Sequence, residues 1–75
     1  MAPVIALLSD FGYDDPYVGI MKGVILQQTP GIQFIDLGHR VNAGDILQGA
    51  LQLRSAAPYF PQGTVFLCVV DPGVG

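Results

Sequence analysis

Three short apolar runs, separated by two segments with helical periodicity, constrain the fold of this chain more than any other feature. The runs occupy residues 4–8, 32–36 and 64–70 and are rich in valine and isoleucine. A short, continuous apolar run bounded by turn residues is typical of a strand that is buried on both faces, as in parallel sheets. The order β-α-β-α-β then predicts an α/β fold with right-handed crossovers and a mostly parallel sheet.

Each predicted helix begins at an aspartate that can cap its free N–H groups. Asp15 is expected to cap the first helix with Pro16 at its first position, and the helix should end at Pro30. Asp45 is expected to cap the second helix, which should end before Pro58. Residues 37–44 are polar enough to be a loop. The apolar faces are predicted to comprise Val18, Met21, Val24 and Ile25 in the first helix, and Ile46, Leu47, Ala50, Leu51 and Leu53 in the second.

The composition suggests that part of this surface is covered by further protein. Hydrophobic residues make up 51% of the chain and charged residues only 12%, whereas soluble domains carry about 25% charged residues. A three-stranded sheet would also leave long apolar edges open, and the last strand leads into a turn at residues 71–75. We therefore expect residues 1–75 to be the incomplete N-terminal α/β domain of a larger protein, the start of a Rossmann-like sheet.

Several functional classes are disfavoured by charge, cysteine content and hydropathy. The net charge is −3 with only three basic residues, so the chain has no electrostatic footprint for nucleic acid. The single cysteine, Cys68, excludes a disulfide framework. No apolar run approaches the roughly 18 residues of a membrane span, and the N-terminus does not resemble a signal peptide. We expect a cytoplasmic protein that binds neither nucleic acid nor membrane.

An aspartate ends each of the three predicted strands: Asp10, Asp36 and Asp71. Ligands of open parallel sheets bind beyond the carboxyl ends of the strands. A carboxylate there can hold a ribose diol, coordinate a metal or orient a water. Each aspartate also has a local interpretation, because Asp10 and Asp71 can bond their own turns and Asp36 can close its strand.

Other polar and aromatic side chains give weaker signals. His39 has no second histidine or cysteine with which to form a metal site. Lys22 is expected to be a surface lysine whose aliphatic stem covers apolar residues. Tyrosines could stack on a base, although partly buried packing is commoner; they are Tyr13, Tyr17 and Tyr59.

Three strings of residues carry a resemblance to a known family. They are Ser9-Asp10-Phe11-Gly12 with its continuation to Gly23, the segment at residues 57–65, and Val69-Val70-Asp71-Pro72-Gly73-Val74-Gly75. In this order they resemble the start of the S-adenosyl-L-methionine (SAM) hydrolases, or SAM hydroxide adenosyltransferases, which are related to SAM-dependent fluorinases and chlorinases. The resemblance covers nearly the whole chain.

This resemblance implies an assembly larger than the chain. The family has an N-terminal α/β domain and a C-terminal β-barrel-like domain, which is absent from these residues. Its members typically form trimers that hold SAM between the N-terminal domain of one subunit and the C-terminal domain of its neighbour. The resemblance therefore implies a homotrimer for the intact protein, with SAM as substrate and no metal or redox cofactor.

The resemblance also assigns roles to individual residues. Asp10 matches an aspartate that binds the ribose hydroxyls, which agrees with the capacity of a carboxylate to accept from both hydroxyls of a diol. Asp71 matches the aspartate of an Asp-Arg-His set in the hydrolases and is the implied catalytic residue. Phe11 and Tyr17 are further implied substrate-binding residues, with Tyr17 near the methionine. The halogenating branch carries aromatic residues at the positions of Asp71 and Gly44, so both residues favour water over halide.

The implied reaction is attack by water or hydroxide at C5′ of SAM, which releases adenosine and L-methionine. The 75 residues alone are expected to be inactive. Three alternatives stay open from the sequence: a SAM-dependent halogenase, a metal-dependent nucleotidase that uses Asp10 with Asp14 or Asp15 as ligands, and a non-catalytic nucleoside-binding or oligomerisation fragment.

Overall fold

The predicted order of strands and helices is confirmed by a computed structural model, which describes residues 3–73. Strand β1 (Val4–Ser9) is followed by helix α1 (Tyr17–Gln28), strand β2 (Gln33–Gly38) and helix α2 (Ile46–Ala56). A single 3₁₀ turn (Ala57–Tyr59) then leads to strand β3 (Val65–Val69). The predicted turn at residues 71–75 is described as far as Gly73, and Val74 and Gly75 lie outside the described residues.

The three strands form one parallel sheet in the order β2-β1-β3. Ile5 of β1 lies opposite Phe34 of β2 on one side and Val65 of β3 on the other. Because β1 is central, its side chains Leu7 and Leu8 are almost completely buried. The parallel arrangement brings the carboxyl ends of all three strands to one edge, as the sequence predicts.

The end of β2 and the start of α1 differ from the prediction for local reasons. β2 includes Leu37 and Gly38, which had been predicted as loop, because a register shift after Leu7 pairs Leu8 with Gly38. Helix α1 begins at Tyr17, one residue later than expected, and its N-cap position is occupied by Pro16 rather than by Asp15. The Asp15 carboxylate instead accepts from the Tyr17 backbone N–H at 3.1 Å. The second predicted cap is confirmed, since the Asp45 carboxylate accepts from the N–H of Gln48 at 2.9 Å.

The predicted apolar face of α2 is largely wrong. Ile46, Leu47 and Leu51 are more than half exposed. The helix turns Gly49 inward instead, where an added Cβ would lie 3.0 Å from Val70 Cγ2. Since Gly49 has no side chain, α2 packs closely at this point. Leu53 is half-buried, and the other large apolar residues of the predicted face point outward.

The apolar face predicted for α1 is also only partly confirmed. Val18 is buried, Met21 and Ile25 are half-buried, and Val24 is 53% exposed. Among residues 3–73, no helix is long and apolar enough to cross a membrane.

Candidate active site

The carboxylate of Asp10 joins the loops that follow all three strands. Asp10 comes directly after β1, and its Oδ2 accepts from the backbone N–H of Gly44 at 2.9 Å and from that of Asp71 at 3.2 Å. Gly44 lies in the loop between β2 and α2, and Asp71 lies two residues beyond β3. One oxygen of one side chain therefore fixes the spacing of the loops at this edge of the sheet.

The second carboxylate oxygen of Asp10 is available to a ligand. Within residues 3–73, Oδ1 of Asp10 has no hydrogen-bond partner, and the side chain is only partly buried. A carboxylate oxygen has two lone pairs that can accept from hydroxyl or N–H groups. The protein thus holds Asp10 by one oxygen and presents the other.

All four candidate site residues from the sequence line one cleft of about 480 Å³ at this edge. Asp10 and Asp71 contribute carboxylates, and Phe11 and Tyr17 contribute aromatic rings. The two ring centroids are 6.2 Å apart and the rings are tilted by 48°, so they form one aromatic wall. The remaining lining residues are Asp15, Ala43 and Val69.

The cleft is electrostatically one-sided. Its lining contains three carboxylates, from Asp10, Asp15 and Asp71, and no lysine or arginine. Such a site attracts a cationic ligand and disfavours an anionic one. Asp15 was predicted only as a helix cap, but the structure places its carboxylate both at the start of α1 and in the cleft.

Asp71 sits on a tight turn that Gly44 approaches closely. Its Oδ1 accepts from the N–H of Gly73 at 2.8 Å, and its side chain is exposed. Gly44 has a φ of +73°, and a Cβ at this position would lie 2.9 Å from Pro72 Cα. The absence of a side chain at position 44 is thus what allows the turn bearing Asp71 to pack against the preceding loop.

The third strand-end aspartate, Asp36, does not reach this cleft. Because β2 continues to Gly38, Asp36 lies inside the strand and accepts from Lys22 Nζ at 2.7 Å and from His39 Nε2 at 2.8 Å. Burial opposes ionisation of Asp36, but the hydrogen bonds from Lys22 and His39 and the charge of Lys22 outweigh it and hold the pKa of Asp36 below its ordinary value.

The structure also gives His39 and Lys22 positions that the sequence did not predict. His39 is completely buried and bonds both Asp36 and Ser9. Lys22 is a half-buried ion-pair partner rather than only a surface lysine. The spacing of Asp36 and His39, three residues apart at the end of a strand, is the one local signal for this contact. Its link to Ser9 joins residues 30 positions apart.

The described part of the chain contains no group of three histidine, cysteine, aspartate or glutamate side chains placed to hold a metal ion. Asp14, a proposed metal ligand in the nucleotidase alternative, is exposed and does not line the cleft.

Comparison with known proteins shows which family the chain belongs to. A family model described as the SAM hydroxide adenosyltransferase N-terminal domain matches residues 5–75. The chain belongs to this family. The resemblance carried by residues 9–23, 57–65 and 69–75 is therefore confirmed at the level of the SAM hydroxide adenosyltransferases.

Relatives of this SAM hydroxide adenosyltransferase domain carry two different activities in their names. A Thermus thermophilus protein named (R)-S-adenosyl-L-methionine hydrolase is 48% identical over 100% of the chain. An Actinoplanes fluorinase is 36% identical over 97% of the chain. The chain spans 29% of the length of the first and 24% of the second.

The fold of the family is also present in solved structures. A conserved hypothetical protein from Thermus thermophilus superposes with a TM-score of 0.85 at 48% identity, over 100% of this chain and 31% of that one.

Proposed function

We propose that the full-length protein hydrolyses SAM to adenosine and L-methionine by attack of water or hydroxide at C5′. The observation that carries this proposal is the direct coupling of Asp71 to Asp10, whose Oδ2 accepts the Asp71 N–H at 3.2 Å inside one cleft. A carboxylate suited to hold a ribose thus lies beside a carboxylate suited to orient a nucleophile. The relative named as a SAM hydrolase, 48% identical to this chain, supports the same conclusion.

The charge and shape of the cleft suit the adenosyl sulfonium. SAM carries a positive sulfur and a positive amino group, and the cleft presents three carboxylates and no cationic side chain. Oδ1 of Asp10 accepts from the ribose hydroxyls while Oδ2 stays on the backbone. The wall formed by Phe11 and Tyr17 offers aromatic surface to an apolar or cationic part of the ligand.

The chemistry requires little beyond orientation and a water. The water oxygen forms a bond to C5′ as the C5′–S bond breaks, and the electron pair goes to sulfur to give the neutral thioether of methionine. The water proton passes to a base. Since the sulfonium is already a good leaving group, positioning of the nucleophile is the main task left to the protein. Asp71, exposed and held by its own turn, is the residue we assign to orient or deprotonate that water.

Halide transfer is the second candidate, because a fluorinase is 36% identical to this chain. The Asp71 carboxylate argues against it, since a negative group beside the nucleophile position repels an incoming anion. Gly44 likewise places no aromatic ring in the cleft. We propose water as the nucleophile on these two residues.

The deciding experiment incubates full-length protein with SAM, with and without chloride and with and without a chelator, and identifies products by chromatography and mass spectrometry. Adenosine and methionine, unaffected by chloride and chelator, are expected. A 5′-chloro product would move the protein to the halogenating branch. Loss of activity with chelator would favour the metal-dependent nucleotidase and contradict the proposed absence of a metal cofactor.

The role of Asp71 is tested by comparing Asp71→Asn with Asp14→Asn. Asp71→Asn is expected to retain SAM affinity in calorimetry and to lose turnover by about 10²- to 10⁴-fold. Asp14 is exposed and lies outside the cleft, so Asp14→Asn controls for the loss of one negative charge. Full hydrolytic activity of Asp71→Asn would remove the catalytic assignment.

The assembly and location of the intact protein are further parts of the proposal. We propose a cytoplasmic homotrimer in which this domain supplies one side of the SAM site. Sedimentation of the full-length protein tests the trimer directly, and a monomeric enzyme with full activity would contradict it.

A further inference from the structure

A network of hydrogen bonds links four residues that do not line the cleft. It runs from Lys22 Nζ to Asp36 (2.7 Å), from Asp36 to His39 Nε2 (2.8 Å), and from His39 Nδ1 to Ser9 Oγ (2.5 Å). Ser9 Oγ in turn accepts from the backbone N–H of Phe11 at 3.2 Å. Ser9 and His39 are both completely buried, so the bond between them faces no competition from water.

The direction of each hydrogen bond in this network follows from matching donors to acceptors. Both Asp36 oxygens are acceptors, so His39 donates through Nε2, and in a neutral imidazole Nδ1 is then an acceptor. Ser9 then donates its hydroxyl proton to Nδ1, and its oxygen accepts from Phe11. In this assignment each of these groups has a hydrogen-bond partner.

The arrangement of a serine, a histidine and an aspartate resembles a nucleophilic triad in composition only. Ser9 Oγ is completely buried and is engaged at both its donor and its acceptor, so no substrate reaches it. A nucleophile needs an accessible oxygen beside the reacting atom. The network therefore holds the backbone, through the Phe11 N–H, rather than contacting a substrate.

Its target is the turn that carries Asp10. Ser9 precedes Asp10 and holds the N–H of Phe11, and the His39 carbonyl accepts from the N–H of Gly12 at 2.6 Å. The Ser9 carbonyl accepts from the N–H of Val41 at 3.3 Å. The backbone on both sides of Asp10 is thus tied to His39 and its neighbours.

We infer that Ser9 and His39, supported by Asp36 and Lys22, are positioning residues that set the Asp10 carboxylate for ligand binding. This inference rests on the proposed function, because it assigns the network to the same adenosyl site. It predicts that breaking the network weakens nucleoside binding through Asp10 although no member of the network touches the ligand.

The first test measures the backbone contact itself and needs no ligand. Amide exchange at Phe11, followed by NMR in the full-length protein, is expected to be about tenfold faster in Ser9→Ala and His39→Ala than in the wild type. His39→Asn keeps an acceptor at the position of Nδ1, so it is expected to retain most of the protection. Unchanged exchange at Phe11 in Ser9→Ala would overturn the inference.

The second test measures the dissociation constant for adenosine by calorimetry. Ser9→Ala is expected to weaken binding by about tenfold, and His39→Asn by much less. Val41→Ala is the matched control: it removes buried volume beside the network and keeps its backbone bond to Ser9. If Val41→Ala weakens adenosine binding as much as Ser9→Ala at equal loss of stability, the effect is general destabilisation and the inference fails.

A double-mutant cycle tests whether the effect passes through Asp10. In an Asp10→Asn background, Ser9→Ala is expected to raise the dissociation constant for adenosine by less than about twofold. If the two substitutions acted independently, Ser9→Ala would raise it by the same factor as in the wild type. A full tenfold cost in that background would overturn the inference. Wild-type protein that binds neither adenosine nor SAM would overturn the proposed function, and the Phe11 exchange would still report separately whether the network holds the turn.

Discussion

Replacing Asp10 by alanine removes the acceptor shared by two backbone N–H groups, and its effect can be estimated at each of them. A hydrogen bond to a charged group contributes about 1.5–3 kcal/mol. Asp10 is partly exposed, so we take about 2 kcal/mol for the Gly44 bond at 2.9 Å and about 1 kcal/mol for the longer Asp71 bond at 3.2 Å. Since about 1.4 kcal/mol corresponds to tenfold, amide exchange should be about 30-fold faster at Gly44 and about fivefold faster at Asp71.

Native-state amide exchange of the full-length protein, measured by NMR, resolves these two sites separately. Asp10→Asn keeps a neutral acceptor in place. The logarithm of its rate increase at Gly44 is therefore expected to be less than half of that for Asp10→Ala. The amide of Gln48 is the internal control, because it is held by Asp45 instead. Equal acceleration at Gln48 would show that alanine loosens the whole domain. No acceleration at Gly44 would refute the role of Asp10 as the link between the loops.

Two further predictions concern the ion pair of Asp36 and the close approach of the backbone at Gly44. Asp36 has a lowered pKa, so its contribution to stability is present above the ordinary carboxyl pKa of about 4 and is lost as the pH falls through the lowered value. Lys22→Met leaves Asp36 as buried as before and removes a main cause of its lowered pKa. NMR titration should therefore show a higher pKa for Asp36, and acid unfolding should begin at a higher pH. An unchanged pKa would contradict the ion pair. Gly44→Ala and Gly63→Ala both incur the strain of a positive φ, about 1 kcal/mol. The added Cβ at position 44 would lie within 3 Å of a backbone atom, whereas the Cβ at position 63 would have no neighbour within 4 Å. Urea unfolding should therefore show the greater loss for Gly44→Ala, and equal losses would mean that the turn at Pro72 gives way freely.

The parts of this fold that local sequence determines could be predicted. Each strand is a short apolar run, and the Asp45 carboxylate caps α2 through a bond to Gln48, three residues away, so short-range patterns suffice. The four candidate site residues meet in one cleft because the carboxyl ends of parallel strands share an edge.

The parts that depend on tertiary contacts could not be predicted. In α2 the periodicity favoured the larger apolar residues, whereas the helix packs at Gly49, where a Cβ would lie 3.0 Å from Val70 Cγ2. The register shift after Leu7 lengthens β2 by two residues and removes Asp36 from the edge. The bond between Ser9 and His39 spans 30 residues and has no local signature.

The carboxylates of Asp10 and Asp71 make different contacts, and this difference decides how variants at the two positions must be interpreted. Asp10 holds loops through Oδ2, so any Asp10 variant changes the backbone of the cleft as well as its ligand contacts. The Asp71 carboxylate accepts only from Gly73 of its own turn within residues 3–73, so its removal leaves the cleft in place. A loss of binding free energy in Asp10→Asn therefore supports ribose binding only where it exceeds the free energy of loop opening that amide exchange at Gly44 reports. A loss of turnover in Asp71→Asn needs no such correction, which makes Asp71 the cleaner test of the chemistry.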